Sequence, residues 1–260
     1  MEMKTIYSTE NKIYKLCKEL TTKKYRDRLG KYIAEGENLI EEAVKSGAEV
    51  EYFIVREDYE GKALILAEQA ACTIFMSRQL FAGLAQTETS QGILAVVSKK
   101  TLSPEAFYER VGDGNIVVLD RLQDHGNIGT VIRTAEAAGY RGVVALKGTG
   151  DIYSPKTVRA AAGSVFRMPV LQEETASIAA GRVKQYGKRL LATCADGSYP
   201  YYEIDMKKNT ALVIGNEGNG ISRELMALTE LRVSIPMQGQ VESLNAAIAA
   251  AILMYESSRP

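Results

Sequence analysis

The chain is poor in the residues that build disulfide or metal frameworks. Its three cysteines, Cys17, Cys72 and Cys194, are odd in number, widely spaced and without a pairing pattern. That argues against structural disulfides and a zinc site, and for a reducing, cytoplasmic compartment. One histidine, His125, leaves a His-based metal centre without ligands, so no metal is expected. No apolar run approaches the roughly 20 residues that span a bilayer, so no membrane association is expected. The opening stretch MEMKTIYSTENKIYK lacks the apolar core of a secretory signal. The longest near-apolar stretch, 246–255, is short and Ala-rich and reads as a buried helix. Net charge is missing too: Lys plus Arg and Asp plus Glu both number 32.

What is present is an ordinary globular composition, 46% hydrophobic and 25% charged over 260 residues. It leaves room for one large or two ordinary domains, each with a core. The balanced charge is unevenly placed. Residues 1–32 hold nine Lys or Arg (4, 12, 15, 18, 23, 24, 26, 28, 31) against four acids, and 141–167 hold five against Asp151 alone. Two basic zones inside a neutral whole point to a directed polyanion contact, with a merely solvated helix face as the even alternative.

Strand and helix signals alternate along the first 98 residues: a polar helix over 10–30 that Gly30 closes, the strand KYIAEG, the helix ENLIEEAVKSG, the strand VEYFIV, the helix ALILAEQAA, the short strand TIFMS, a helical turn QLFAGLA and the strand GILAVVSKK. This reads as a small α/β domain over 1–98. Residues 99–114, with Ser103-Pro104 at a helix start and Gly112 and Gly114 breaking it, read as a linker. From Asn115 to Pro260 the strands are stronger: NIVVLD, GVVALKG, RLLATCAD, TALVIGNE and RVSIPM, with helices near 128–138, 155–162, 173–187, 222–229 and 243–257. Continuous apolar strands separated by helices predict a parallel sheet covered on both faces.

Three Gly- and Asn-rich turns follow these strands, and such turns at strand ends are how an α/β sheet builds a ligand site. In the first, Gly126, Asn127 and Gly129 permit close backbone approach and positive φ, and Asn127 also reads as a helix N-cap. Arg133 lies further along that helix as a surface residue or a phosphate-binding fork. In the second, GNEGNG places Glu217 at a glycine-rich strand exit; the acid would repel a pyrophosphate, which disfavours a nicotinamide or flavin site. In the third, Pro236 ends a strand, Ser243 reads as the N-cap of the last helix, and Asn245 needs a polar partner. That helix is apolar around most of its circumference, as an intersubunit contact would require. Ser154-Pro155 starts another helix, with Lys156 and Arg159 on one face as a candidate phosphate cradle.

Together NIGTVIR (127–133), GNEGNG (215–220), IPMQGQVESLN (235–245) and PKTVRAAAGSVFRMPV (155–170) resemble the SpoU (TrmH-like) family of S-adenosylmethionine-dependent RNA 2′-O-ribose methyltransferases, within the SPOUT superfamily. The resemblance spans 115–257; more softly, 1–98 is similar to the ribosomal-protein-like RNA-binding domain many members carry. It implies a parallel α/β sheet with a C-terminal trefoil knot, a homodimer through that domain, and S-adenosylmethionine as cofactor. The cofactor would touch Thr193, Cys194, Ala195, Gly215, Asn216, Gly218, Ile235, Met237 and Leu244. The chemistry would fall to Asn127, Arg133, Glu217, Ser243 and Asn245. Lys23, Lys24, Arg26, Arg28, Lys156 and Arg159 would meet RNA, with ribosomal RNA favoured over tRNA. Ala246 and Ala247 depart from the more usual Val-Ser after SLN. A non-catalytic RNA-binding protein of the same fold is the rival reading, and a nucleotide-dependent oxidoreductase a more distant one.

Overall fold

The computed structural model describes residues 5–68, 72–196 and 199–259. Its elements run β1 (Thr5–Ile6), α1 (Lys12–Glu19), α2 (Lys23–Leu29), β2 (Lys31–Glu35), α3 (Glu37–Lys45), β3 (Val50–Arg56), α4 (Leu64–Glu68), β4 (Thr73–Met76), α5 (Arg78–Ala82), β5 (Ile93–Ser98), α6 (Pro104–Val111) and β6 (Ile116–Leu119). They continue with α7 (His125–Ala137), β7 (Gly142–Leu146), α8 (Pro155–Ala160), α9 (Ser164–Arg167), β8 (Val170–Glu174), α10 (Ala176–Gln185), β9 (Arg189–Thr193), β10 (Tyr199–Pro200), β11 (Thr210–Ile214), α11 (Arg223–Leu228), β12 (Leu231–Ser234) and α12 (Ala246–Ser257).

Backbone packing divides the chain into two units, Met1–Lys100 with Asp151–Arg167, and Thr101–Gly150 with Met168–Pro260. The first is built on a mixed five-stranded sheet in the order β1-β4-β3-β5-β2, with β5 antiparallel to both β2 and β3. Its core gathers Cys17, Leu20, Ile33, Ile54, Met76, Phe81 and Leu94. The polar helix expected over 10–30 is two helices, broken at Leu20–Thr22, with Gly30 closing the second. The strand β1 was not foreseen, being only two residues long, and the end of the expected helix ALILAEQAA lies outside the described residues.

The segment Asp151–Arg167, read from the sequence as part of the second domain, packs into this first unit. A buried ion pair holds it there. Arg26, 4% exposed, donates through Nε (2.9 Å) and Nη2 to Asp151, 6% exposed, and through Nη1 to the Leu20 carbonyl. Tyr32 stacks near Tyr153 and Phe166, with ring centroids 4.7 and 6.3 Å away. Ser154 caps α8 by accepting from the Thr157 N–H at 3.2 Å, as Ser154-Pro155 led one to expect.

The second unit holds a seven-stranded sheet, β10-β12-β9-β11-β6-β7-β8, in which every pairing is parallel. β6, β7 and β11 are buried along their whole length, which is why they read as unbroken apolar runs. The stretch expected as a linker is helical: α6 starts at Ser103-Pro104, and Phe107, Tyr108 and Val111 are buried in this core. β8 and the short edge strand β10 are additions to the sequence reading. The order reverses between β6 and β11: β7 and β8 lie to one side, β9, β12 and β10 to the other. Open α/β sheets bind ligands outside the carboxyl ends of strands at such a point. α12 packs on α7 and buries Ala247, Ala250, Leu253 and Met254, leaving Ile248 and Tyr255 on its other side, each 53% exposed.

Candidate active site

Three strands of the second unit end beside one another, and their exits form the wall of a cavity of about 750 Å³. β9 leads to Thr193, Cys194 and Ala195; β11 to Gly215, Asn216 and Gly218; β12 to Ile235 and Met237; and Leu244 closes the wall. All nine residues expected at the cofactor therefore line one cavity. Glu217, Ser243 and Asn245 line it as well.

The GNEGNG turn is fixed by its own backbone. Asn216 and Gly220 exchange N–H to carbonyl bonds at 2.9 Å in both directions. The Asn216 side chain accepts from the Gly218 and Asn219 N–H groups and donates to the Arg121 carbonyl at 3.0 Å. Gly215 is required by this closure, because a Cβ there would lie 2.4 Å from the Gly220 carbonyl carbon. Beneath the turn Asp120, 2% exposed, accepts from the Ser222 N–H at 2.5 Å.

Glu217 then ties the second turn to the first. Its carboxylate accepts from the backbone N–H groups of Gln123 (3.2 Å) and Asp124 (3.0 Å) and from the Asn127 Nδ2 (3.1 Å). Asn127 Oδ1 in turn accepts from Asn245 Nδ2 at 3.0 Å. Asn245 Oδ1 caps α12, accepting from the Ala247 and Ile248 N–H groups at 2.9 and 3.3 Å. One hydrogen-bonded line thus runs through residues 90 and 118 positions apart. Burial alone would raise the Glu217 pKa. The bonds from its own N–H, the Asp124 N–H, the Asn127 amide and the Gln123 N–H together outweigh that and hold it below the ordinary glutamate range. Glu217 is therefore a carboxylate at neutral pH, an acceptor only.

Several sequence expectations are corrected here. Asn127 is not the N-cap of α7; Asp124 is, its Oδ1 accepting from the Asn127 N–H at 2.8 Å. The Asn127 amide is thereby left free to bridge Glu217 and Asn245. Gly126 and Gly129 lie inside α7 rather than in a turn, and the left-handed residue of this loop is Arg121, at φ 57°. Ser243 does not cap α12, a role taken by Asn245. Arg133 is exposed on α7 and does not line the cavity. At 100° per residue, six positions turn it about 120° away from Asn127 on the helix. Arg26 is buried against Asp151 and has no surface to offer a polyanion, whereas Lys23, Lys24, Arg28 and Lys156 are exposed. Sequence reasoning missed Asp120, Gln123 and Asp124. The spacing of Asp124 three residues before Asn127 is the cap signal that could have found it.

A parallel sheet with a cavity at the carboxyl ends of β9, β11 and β12, walled by the turns that follow them, is the architecture of the SPOUT class of methyltransferases. The chain superimposes on an AdoMet-bound rRNA methyltransferase from Sinorhizobium meliloti with a TM-score of 0.86 at 28% identity, covering 99% of this chain and 98% of the other. It superimposes on the SpoU methyltransferase AviRb of Streptomyces viridochromogenes, in complex with AdoMet, with a TM-score of 0.87 at 29% identity, covering 96% and 97%. Residues 114–255 match the model of the SpoU rRNA Methylase family, to which the chain belongs, and residues 11–95 match that of an MRM3-like substrate binding domain. Among curated relatives, 23S rRNA (guanosine(2553)-2′-O)-methyltransferase RlmP of Bacillus subtilis is 38% identical over 97% of this chain and 98% of its own length.

The cavity suits S-adenosylmethionine. Its floor is bare backbone where Gly215 lacks a Cβ, its sides carry the apolar Ile235, Met237 and Leu244, and its acidic residues are Glu217 and Glu242. Apolar walls with a few converging polar groups fit a purine and a thioether-like chain, and acids favour a ligand bearing a sulfonium. Among the described residues no group of His, Cys, Asp and Glu could hold a metal ion, and no helix is long and apolar enough to cross a membrane.

Proposed function

We propose that this protein transfers the methyl group of S-adenosylmethionine to a ribose 2′-hydroxyl in ribosomal RNA, in the cytoplasm. The observation that carries this reading is the Glu217–Asn127–Asn245 line, which gathers three distant turns around a cavity fit for the cofactor. Bound there, the cofactor supplies an activated methyl group. The protein's share is to orient the hydroxyl for in-line attack and to assist loss of its proton. Asn127 and Asn245 fix the entrance of α12 against α7. Ionised Glu217 accepts hydrogen bonds at the cavity wall, and Ser243 offers a hydroxyl beside it.

Arg133 is exposed and does not line the cavity of its own chain. In this reading it acts in the cavity of a second copy, as a phosphate clamp that positions the ribose and stabilises the developing alkoxide. The exposed apolar side of α12, with Ile248 and Tyr255, is the face on which that copy would sit. Domain 1–98, with Lys23, Lys24 and Arg28 exposed, would grip RNA, and the C-terminal domain would carry the trefoil knot of its class.

The test is methyl transfer. Purified protein, tritiated S-adenosylmethionine and ribosomal RNA from a strain lacking the gene should yield one 2′-O-methylated nucleoside on digestion. Cofactor binding without transfer to ribosomal RNA or tRNA would favour the non-catalytic alternative.

A further inference from the structure

A second cavity, of about 260 Å³, lies wholly within the first unit, and Arg159 on its wall has one guanidinium nitrogen without a hydrogen-bond partner. Arg159 Nη1 is buried and has no hydrogen-bond acceptor among the described residues. The acids nearby are already engaged. Glu35 accepts from the Gln86 N–H at 2.7 Å and the Thr87 hydroxyl at 2.9 Å, and Glu42 pairs with Arg167 at 2.6 Å. A buried guanidinium nitrogen left unsatisfied is costly, so the arrangement calls for an acceptor the chain does not supply.

The same cavity holds the start of α3. Its N-cap is Gly36, at φ +105°, which has no side chain with which to cap the helix. The Glu37 N–H is taken by the Gln91 side chain at 2.9 Å, while the Asn38 and Leu39 N–H groups have no acceptor among the described residues. Gly36, Asn38 and Leu39 all line the cavity beside Arg159. Free helix N–H groups and a guanidinium converging on one space are complementary to a tetrahedral oxyanion. Lys156, paired with Arg159 from the sequence, does not line the cavity, so the cradle is not where the spacing of those two residues placed it.

We propose that this cavity is a phosphate site that anchors the RNA backbone at a point separate from the reacting ribose. The inference rests on the RNA reading above for the origin of the phosphate, but not for its chemistry. Two variants separate a binding role from a structural one. Arg159→Gln removes the guanidinium, and one lost phosphate contact lowers the slope of log K against log salt by about 0.7–0.9, or about five- to eightfold in RNA affinity at 0.1 M salt. Asn38→Asp places an acid in the first turn of α3, where it favours the helix. A structural role for this corner predicts an Asn38→Asp protein as stable as the wild type with unchanged RNA affinity. A phosphate site predicts equal or greater stability with weakened RNA binding.

S-adenosylmethionine affinity, measured by calorimetry, serves as the fold check for both variants and should stay within twofold of wild type. Inorganic phosphate provides an arm independent of RNA: titrated into the full chain, it should shift the Asn38 and Leu39 amide resonances, and not in Arg159→Gln. A mononucleotide that matches the RNA effect would mark a free-nucleotide site. The proposal is overturned if phosphate leaves those amides unmoved, or if wild type and both variants bind RNA with one affinity and one salt slope. Amide shifts with phosphate in a protein that binds no RNA would instead overturn the RNA reading and leave the anion site standing.

Discussion

Replacing Gly215 by alanine tests the cavity wall at its tightest point. The added Cβ would sit 2.4 Å from the Gly220 carbonyl carbon, 2.5 Å from the Ile221 nitrogen and 2.7 Å from the Gly220 oxygen. All three are backbone atoms, so no rotamer change relieves the contact. Gly215 directly follows β11, whose Val213 and Ile214 are held in register with Val118 and Leu119 of β6. The strand is the stiffer partner, and the turn must give. Restoring an ordinary contact near 3.4 Å means a displacement of about 1 Å.

A 1 Å shift exceeds what the turn's bonds tolerate. The Asn216–Gly220 pair at 2.9 Å and the Glu217 contacts at 3.0–3.2 Å would stretch past hydrogen-bonding distance. Overpacking of this kind costs about 1–3 kcal/mol, and each lost bond adds about 0.5–1.5 kcal/mol. We expect Gly215→Ala to lose about 2–4 kcal/mol in urea unfolding and to bind S-adenosylmethionine at least about tenfold more weakly, since 1.4 kcal/mol is one decade. Gly218→Ala is the control for stability: the nearest atom to a Cβ there is Asn216 Oδ1, at an ordinary 3.8 Å. If Gly215→Ala unfolds and binds cofactor like the wild type, the turn is not the rigid wall described here.

Three further outcomes follow from the same structure. Glu217 is depressed below its ordinary 4.5 in the fold, so its stabilising contribution is present above that value and fades as pH falls through the folded pKa. In Glu217→Gln that part of the acid loss should disappear from a pH series of melting temperatures, and an unchanged profile would refute the assignment. Asp151→Ala leaves Arg26 buried and unpaired, a loss of about 3–5 kcal/mol by chemical denaturation, whereas Arg26→Met with Asp151→Leu should recover most of it. Arg133→Ala should abolish methyl transfer with cofactor affinity within a few-fold. Mixed with Asn245→Ala subunits it should regain activity only if sites are shared between copies, and no recovery would place Arg133 elsewhere.

Period and composition were enough to read five of the seven strands of the second unit's sheet, most clearly β6, β7 and β11, which are buried along their whole length and show as apolar runs. They failed where local chemistry had two uses. Ser103-Pro104 with Gly112 has the look of a linker, yet Phe107, Tyr108 and Val111 between them are core residues, and only their burial decides the matter. Segment 151–167 reads as one more helix of the α/β alternation. What assigns it to the first unit are long-range contacts, Arg26 with Asp151, 125 positions apart, Tyr32 with Tyr153 and Phe166, and Glu42 with Arg167, which no local pattern encodes. The Arg26–Asp151 pair explains why counting charge overstated the basic surface: one of the cations of the first zone neutralises the only acid of the second.

At the site, the residue types were readable and their duties were not. Asn at the start of a helix is a cap by frequency, and Asn127 fits that pattern in sequence, while Ser243 reads as the cap of the last helix. The structure gives the cap of α7 to Asp124 and that of α12 to Asn245. This division has a chemical consequence. An amide carries both a donor and an acceptor, whereas a carboxylate spent on a helix cap has no donor to share. Asn245 uses its oxygen for the helix and its nitrogen for Asn127; Asn127 passes its own nitrogen on to Glu217. Each position thus needs a group that both accepts and donates, which a carboxylate cannot do, for the chain to end on Glu217. Asn127→Asp should break it more severely than Asn127→Ala, by setting an acceptor against an acceptor beside the ionised Glu217.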